Sequence, residues 1–374
     1  MDPSTTSKER ILDLIQANPF ISQQELAERL AITRSAVASH IAQLIRDQRL
    51  LGRAYVLPRV EPILVAGGAN LDRIAKSFGP IAMATSNPVA LRESFGGVAR
   101  NVAENLARMG LPVRLLTAVG DDGPGTALLR HARDLGIDTG ACMVVPGAFT
   151  GTYTAILQPD GEMVLAMSDM AVMERFTLEC LGGRRNLWAG TRLRVLDLNL
   201  SPAVVTELMH DSRAQGATLV AVAVSEPKMD RLPAALQGLS VLILNAGELA
   251  ARVGRRLADR EAVASAALEV LDQGLEGIVV TLGGDGVLCC SGDRNPHYLE
   301  ALPAEVVDVT GAGDAFSSGV VAGLASHPRD LIRACGIGQR LAVLTLGSRS
   351  GVAPSLTPAF LQAFGLPTQG VTHA

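Results

Sequence analysis

The stretch Asp308-Val309-Thr310-Gly311-Ala312-Gly313-Asp314-Ala315-Phe316 decides the fold of this chain. A run of small and apolar residues follows it, which predicts a tight loop leading into a helix N-terminus. The first amides of a helix lack intrahelical acceptors, and glycines let an anion approach Gly311, Ala312 and Gly313 closely. With the carboxylate of Asp314, the loop fits phosphoryl transfer: the amides hold the transferring group and Asp314 accepts the proton of an attacking hydroxyl. The alternative is an ordinary glycine loop whose aspartate is favoured by the helix dipole.

Composition limits the class of protein. The 374 residues exceed one average domain, and 48% hydrophobic residues with 38 glycines and 3% aromatics indicate an α/β protein with many tight turns. The five cysteines are odd in number and lack the pair spacing of metal ligands, which predicts a reducing compartment without a disulfide framework or zinc site. No apolar run approaches the ~20 residues that span a bilayer, so we expect a soluble cytoplasmic protein without membrane contact.

The first 60 residues differ from the rest in charge. They carry eight Lys and Arg against six Asp and Glu, a net charge of +2, whereas the whole chain carries −4. Three short helical patterns occur here, the second beginning at Ser22 with capping-box spacing and the third capped by Thr33, and a β-ribbon is predicted over Leu50–Leu57. This arrangement resembles a winged helix-turn-helix domain over residues 1–58, which implies DNA binding. The implied DNA contacts are Arg34, Ser35, Ser39 and His40 on the third helix and Arg53 on the wing.

A protein–protein or dimerisation module is the alternative for this segment. Because the segment is only weakly basic, we expect a single copy to bind DNA weakly and two copies to be needed. This predicts a homodimer.

Beyond Pro62, motifs follow predicted strands. Asn70 and Asp72 come after the apolar strand Ile63–Ala66, where open α/β sheets hold ligands, and both side chains face one way in an extended segment. An aspartate there can bind a vicinal diol, and a turn-capping pair is the alternative. Another glycine pair, Gly96-Gly97, is also followed directly by a predicted helix. Residues 152–157 and 163–167 form a predicted β-hairpin that is a candidate lid.

Further strands imply a parallel sheet with right-handed crossovers. They are predicted at Val113–Gly120, Val195–Leu198, Thr218–Val222, Val241–Leu244 and Ile278–Leu282. After two of them come Asn245 to Glu248, with a carboxylate that can hold magnesium through water, and Thr281 to Gly286, with amides for an anion. Each of these two motifs alone also fits an ordinary turn.

Taken together, the motifs resemble the ribokinase-like, PfkB-type carbohydrate kinases over residues 61–366. The resemblance rests on Gly96 to Ala103 with Gly110 and Gly120, on Asp308 to Val321, and on the Asn-x-x-Glu and Thr-x-Gly-x-x-Gly elements between them. It implies an α/β fold: a Rossmann-type parallel sheet flanked by helices, with a small β-sheet lid from about 86–97 and 150–169. The small winged helix-turn-helix domain precedes it.

Within the family, several stretches resemble pseudouridine kinases, among them Gly68–Asp72, Gly96–Ala107 and Ser168–Met170. The resemblance implies ATP-dependent phosphorylation of the 5′-hydroxyl of pseudouridine, with Asp314 as general base and the amides of Gly311, Ala312 and Gly313 as the anion hole. It also implies contacts of Asn70, Asp72, Gly96, Gly97 and Asn101 with the ribose, of Thr152 and Asp169 with the base, of Asn245 and Glu248 with Mg²⁺ (through water) and phosphates, of Thr281, Gly283 and Gly286 with ATP, and of Asp308 and Thr310 with a monovalent cation, usually K⁺.

Two other functions stay open. One is a transcription factor whose kinase-like domain serves mainly as a nucleoside sensor, and the other is a kinase for a different sugar or nucleoside. The presence of Asp314, Glu248 and the anion hole favours catalysis, because a sensor has no need of a base.

Overall fold

The computed structural model describes residues 7–18, 21–46, 50, 61–188 and 190–367. The chain divides into two compact units, with the boundary between Arg59 and Val60. In the described part of the chain, no helix is long and apolar enough to cross a membrane.

The first unit contains three helices around a small apolar core. Ser22 Oγ accepts a hydrogen bond from Glu25 N at 3.0 Å, and Thr33 Oγ1 accepts one from Ala36 N at 3.1 Å, so both predicted helix caps are confirmed. Leu26, Val37 and Leu44 are buried between the helices. The ribbon predicted after Leu50 and the predicted wing residue Arg53 lie outside the described residues. The helices are α1 (Ser7–Ala17), α2 (Gln23–Leu30) and α3 (Arg34–Arg46).

The second unit is built on an eight-stranded sheet. Its strand order is β14-β13-β12-β11-β10-β9-β1-β4. The strands are β1 (Ile63–Ala66), β4 (Val113–Leu116), β9 (Leu193–Asp197), β10 (Thr218–Val222), β11 (Val241–Asn245), β12 (Gly277–Thr281), β13 (Val287–Cys290) and β14 (His297–Leu299).

The prediction of a parallel sheet holds for the six strands that were predicted, and two further strands that were not predicted, β13 and β14, make the sheet mixed. β13 pairs antiparallel with β12, and β14 pairs antiparallel with β13. The physical reason is the connection: only a short turn, including the 3-10 segment Gly283–Asp285, separates β12 from β13. A parallel return needs a crossover of a dozen or more residues.

A second, four-stranded sheet of order β3-β2-β7-β8 contains the strands predicted as a lid, and we refer to it as the lid sheet or lid. Its strands are β2 (Asn70–Ser77), β3 (Val89–Gly96), β7 (Gly151–Leu157) and β8 (Met163–Asp169), so the predicted hairpin is confirmed. The predicted lid bounds omitted β2, which is paired on both sides. The single strand predicted over Val113–Gly120 divides at buried Thr117, since β5 (Ala118–Gly120) leaves the main sheet and pairs with β6 (Met143–Val145).

Helices cover both faces of the large sheet, and each face has its own apolar core. α4, α12 and α13 contribute to one core, and α9, α10 and α11 to the other. The helices are α4 (Val98–Arg108), α5 (Gly123–Asp134), α6 (Ala171–Glu174), α7 (Leu178–Gly182), α8 (Arg185–Trp188), α9 (Pro202–Gln215), α10 (Ala246–Val253), α11 (Arg260–Leu271), α12 (Ala312–Ser326), α13 (Leu331–Leu346) and α14 (Ala359–Gln362).

Candidate active site

The stretch from Asp308 to Phe316 forms the predicted loop and the N-terminus of helix α12. Gly311 is the N-cap of α12 with φ of 78°, and a Cβ there would overlap the carbonyl of Gly351, so only glycine fits. Among the described residues no side chain accepts a hydrogen bond from the first amides of this helix, and Ala312 N donates to the backbone oxygen of Val309 at 3.3 Å. A Cβ at Gly313 would meet no atom within 4 Å, and Gly313 is exposed. The first turn of α12 therefore faces open space from which an anion can reach its amides.

Asp314 lies in that first turn and is half-buried. Asn101 Nδ2, on α4, donates a hydrogen bond of 2.7 Å to Asp314 Oδ2. Burial raises the pKa of Asp314 to about 7, the Asn101 bond opposes this, and the negative charges of Asp197 and Asp72 raise the pKa further. A carboxyl group with a pKa near the working pH is suited to general-base catalysis.

Asn70 and Asp72, which were predicted to bind a vicinal diol and are called the diol pair below, are in contact. Asn70 is buried, and its Nδ2 donates a 2.6 Å hydrogen bond to Asp72 Oδ1, so both side chains share one face as expected. Burial is the main cause that raises the pKa of Asp72. Gly96 pairs with Asn70, and a Cβ at Gly96 would overlap the Asp72 carboxylate. Gly97 is the N-cap of α4 with φ of 98°, and a Cβ there would overlap the backbone of Gly68.

Thr152 and Asp169 were predicted to contact the base, and the strand pairing of the lid sheet shows on which face they lie relative to Asn70 and Asp72. Asp72 pairs with Tyr153, which pairs with Ser168, and directly paired residues share a sheet face. Thr152 pairs with Leu71 and with Asp169, and successive residues alternate between faces. Thr152 therefore lies on the face opposite Asp72, and the residues on the Asp72 face, Tyr153 and Ser168, were not predicted.

A cavity of about 390 Å³ adjoins the end of β8. Gly151 lies between this cavity and the diol pair. A Cβ at Gly151 would be 2.7 Å from Met170 Sδ, which lines the cavity, and 3.4 Å from Asn70 Cβ. Lys228 Nζ donates to Asn199 Oδ1, and burial lowers the pKa of Lys228 while the charge of Asp197 raises it. The cavity is lined by Ser168, Asp169, Met170, Asn199, Lys228 and Arg231, among others.

Asp197 is a buried residue that sequence reasoning missed. Its carboxylate accepts hydrogen bonds from Gly68 N at 2.9 Å, Ala99 N at 2.8 Å and Asn199 N at 2.8 Å. It thus holds the loop after β1 against the first turn of α4. Burial raises its pKa and these amide bonds oppose the rise. Its place at the end of the apolar strand β9 was the available signal.

Asn245 and Glu248 form a complete capping box at the start of α10. Asn245 Oδ1 accepts from Glu248 N at 2.9 Å, and Glu248 Oε2 accepts from Asn245 N at 2.8 Å. Glu226 was not predicted; a Cβ at Gly247 would lie 2.5 Å from its Oε1. Burial first, and then the charge of Glu226, raises the pKa of Glu248. Two neighbouring carboxylates fit Mg²⁺, which binds through one or two carboxylates together with phosphates.

The residues predicted to face ATP divide into two kinds. Gly283 is exposed, and a Cβ there would meet no atom within 4 Å. Gly286 is buried with φ of 91°, and a Cβ there would overlap the carbonyl of Leu299. Gly286 therefore serves the turn from β12 to β13, and Thr281, the last residue of β12, is half-buried.

Asp308 and Thr310 lie in the loop before α12. Asp308 Oδ1 accepts a hydrogen bond from Thr310 N at 2.8 Å. Asp308 Oδ2 is 4.0 Å from Arg92 Nη2 on the lid, and Arg92 Nη1 donates to Arg349 O at 3.2 Å. The carboxylate has oxygen donors that suit a monovalent cation, and it already neighbours one positive side chain.

The third helix of the first unit presents most of the predicted DNA contacts. Arg34, Ser35 and Ser39 are exposed on α3. His40 is only half-buried and its Nδ1 is buried, so the prediction that it lies on the outer side is wrong for that atom. The reason is that position 40 lies at the border of the buried stripe through Val37, Ile41 and Leu44.

Comparison with known families decides the assignment of the second unit. Residues 61–358 match the pfkB family of carbohydrate kinases. The chain belongs to this family. It is a kinase of sugars or nucleosides, a phosphotransferase whose acceptor is an alcohol. Residues 5–48 match a winged helix-turn-helix DNA-binding family, in agreement with the predicted N-terminal domain.

Individual relatives agree with the family. The chain is 32% identical over 317 residues to an uncharacterised sugar kinase, YeiI, of Escherichia coli, covering 84% of this chain and 86% of the relative. It is 32% identical over 258 residues to the pseudouridine kinase of the same organism, covering 69% and 82%. A solved carbohydrate kinase from Agrobacterium tumefaciens superposes with a TM-score of 0.70 at 32% identity, covering 83% and 98%. The ribokinase-like fold with a mixed sheet is thereby confirmed.

Proposed function

We propose that this protein is an ATP-dependent kinase that phosphorylates the 5′-hydroxyl of pseudouridine. The observation that carries the proposal is Asp314, which has a pKa of about 7, is bonded to Asn101 and lies in the open first turn of α12. The pseudouridine kinase of E. coli, at 32% identity, supports the choice of nucleoside.

The reaction assigns a task to each part of the site. Asn70 and Asp72 bind the ribose hydroxyls, which directs the 5′-hydroxyl toward α12. Asp314 accepts the hydroxyl proton as the oxygen attacks the γ-phosphoryl group, and the amides of Gly311, Ala312 and Gly313 stabilise the charge that develops. A positioned base contributes roughly 10²–10⁴ in rate, and each anion-hole donor roughly 10²–10³.

The cavity beside β8 is suited to the base of pseudouridine. Uracil joined through carbon keeps an N–H group at the position where uridine has its glycosidic bond. The hydroxyl of Ser168, on the Asp72 face, can accept a hydrogen bond from such a donor, and Lys228 can donate to a uracil carbonyl. A ring with an additional donor therefore fits this polar cavity better than uridine does.

Two ions complete the proposed site. Glu248, with Glu226 beside it, holds Mg²⁺ through water, and the ion neutralises phosphate charge when bound. In the described part of the chain no cluster of three or more His, Cys, Asp or Glu side chains is present, so the phosphates supply the remaining ligands. Asp308 and Thr310 hold a monovalent cation, K⁺, next to the anion hole.

The winged helix-turn-helix unit gives the protein a second proposed activity, binding of DNA with a role in transcription. Arg34, Ser35 and Ser39 lie exposed on the helix that enters the major groove in this class of domain. A homodimer would present two such units to a palindromic site. Exposed apolar residues on the lid strands, Leu91, Met163 and Leu165, support dimerisation through the lid.

A nucleoside panel tests the kinase. ADP release is measured with pseudouridine, uridine, inosine and ribose, each with and without K⁺. We expect the highest kcat/KM with pseudouridine and a loss of rate without K⁺. Preference for ribose would replace the nucleoside by a free sugar, and binding of pseudouridine without ADP release would favour the sensor. Absence of a gel shift of promoter DNA at low salt would remove the DNA-binding proposal.

A further inference from the structure

Arg100 lies at the centre of a buried network at the start of α4. Only 8% of its side chain is exposed. Its Nη1 donates to Phe95 O at 2.8 Å and to Asn101 Oδ1 at 2.9 Å, and its Nη2 donates to Glu104. One guanidinium thus joins the last residues of lid strand β3 to the amide that contacts Asp314.

Glu104 anchors this guanidinium from the other side. Its side chain is 5% exposed, and it also accepts a 2.7 Å hydrogen bond from Arg108 Nε. His131 Nε2 lies 3.6 Å from Glu104 Oε2, and the ring of His131 stacks on Phe95 with 5.4 Å between centroids. A planar cation held by a carboxylate and a carbonyl has little freedom to move, so it can orient a third partner.

We propose that Arg100 is a positioning residue for phosphoryl transfer, which fixes the carboxamide of Asn101 so that its NH₂ group faces Asp314. The inference rests on the proposed role of Asp314 as general base. A guanidinium has only donors, so the amide atom that faces Arg100 must be the oxygen. An ionised carboxylate has only acceptors, so the atom that faces Asp314 must be the nitrogen. Both ends of the amide are therefore determined by their partners.

Without Arg100, rotation of the carboxamide would turn Oδ1 toward Asp314. An oxygen in that position repels the carboxylate and accepts a hydrogen bond only from protonated Asp314. The positive charge of Arg100 also lowers the pKa of Asp314, against the opposing charges of Asp197 and Asp72. Both effects of removing Arg100 raise the pKa of Asp314. Because the base must be ionised, the acidic limb of kcat/KM moves to higher pH.

The test compares Arg100→Met with Arg108→Met, both of which remove a partner of Glu104. Arg108 bonds neither Asn101 nor Asp314 among the contacts of the described residues. At pH 7 we expect Arg100→Met to lower kcat at least about tenfold and to move the acidic limb up by about one pH unit, with KM for ATP within about twofold of wild type. Arg108→Met leaves the limb in place. Arg100→Lys keeps the positive charge but lacks the planar set of donors of the guanidinium. The pH of its acidic limb should therefore return most of the way to that of wild type, while its kcat recovers little.

The outcomes separate this inference from the proposed function. A folded Arg100→Met variant with an unshifted limb overturns the positioning role, and so does an equal shift in Arg108→Met. Should Arg100→Met fail to fold, Arg100→Lys decides: wild-type kcat with a wild-type limb overturns the role. A wild-type protein that phosphorylates no sugar or nucleoside overturns both proposals, whereas an active wild type with unaffected Arg100 variants overturns this one alone.

Discussion

Two helices of the kinase unit begin at a glycine with positive φ, and they use their first amides differently. At the start of α4, after Gly97, Ala99 N donates to the buried carboxylate of Asp197. At the start of α12, after Gly311, no side chain of the described residues accepts from the first amides, and Gly313 faces open space. Both helices follow a glycine, but a carboxylate occupies the N-terminus of α4 and none occupies that of α12 among the described residues.

The difference teaches where an anion can bind. The α4 terminus already carries a carboxylate, and a second anion there would be repelled. At the α12 terminus, Ala312 N donates a 3.3 Å hydrogen bond to Val309 O, whereas among the described residues Gly313 N has no hydrogen-bond acceptor; the acid of this turn, Asp314, accepts from Asn101. The α4 terminus is therefore a structural clamp, whereas the α12 terminus is the proposed catalytic site, and substitutions in each should have different effects.

The largest expected effect is on turnover, from Asp314→Asn. The amide cannot accept the hydroxyl proton, so kcat should drop by at least ~10² while ATP binding is largely kept. ADP release measures kcat, and calorimetry with ATP measures binding. Turnover near that of wild type would remove Asp314 from the base role.

Gly313→Ala tests whether the open space before α12 is the anion site. Beyond its neighbours in the helix, the methyl group would meet no atom of the described residues within 4 Å, so the melting temperature should stay near that of wild type, while displacement of the transferring group lowers kcat by up to ~10². Gly123→Ala is a matched control, since it also adds a methyl group in open space at a helix start, that of α5. Equal kcat in both variants would contradict an anion site at α12.

Asp197→Ala tests the clamp at α4. It leaves the amides of Gly68, Ala99 and Asn199 without their acceptor, so the free energy of unfolding should fall by about 3 kcal/mol, measured by urea denaturation. Asp259→Ala removes an ordinary helix cap at α11 and should cost only about 1 kcal/mol. A cost for Asp197→Ala no larger than that of the control would mean that the clamp is dispensable.

A separate expected effect of Asp314→Asn is a gain in stability that depends on pH. Because the pKa of Asp314 is raised from 3.8 to about 7 in the folded state, ionised Asp314 disfavours folding, and this penalty develops as pH rises from about 4 to 7. The variant should melt at a higher temperature than wild type above pH 7, and the difference should shrink below pH 4. Thermal scans across this range check the sign, and a constant difference would contradict the raised pKa.

Much of the site could be predicted from sequence because its motifs are local. The loop from Asp308 to Asp314, the pair Asn70 and Asp72, and the box of Asn245 and Glu248 each lie within seven residues. Short spacing fixes which backbone groups such side chains can reach. The two antiparallel strands that were not predicted also have a local reason, since β12 and β13 are joined by too few residues for a parallel crossover.

The partners that come from distant parts of the chain could not be predicted. Asp197 bonds Gly68, 129 positions away, and Asn101 bonds Asp314, 213 positions away. The faces of Thr152 and Ser168 follow from the lid register, in which a shift by one residue exchanges the two faces.

The sequence by itself determined the two domains, the kinase family and the glycine loop before α12, because glycines, caps and strand ends act through neighbouring residues. Only the tertiary structure decided which of the two helices that follow a glycine has a carboxylate bound at its N-terminus, and which groups raise the pKa of Asp314. Burial and charge depend on groups that are brought together by folding across the whole chain.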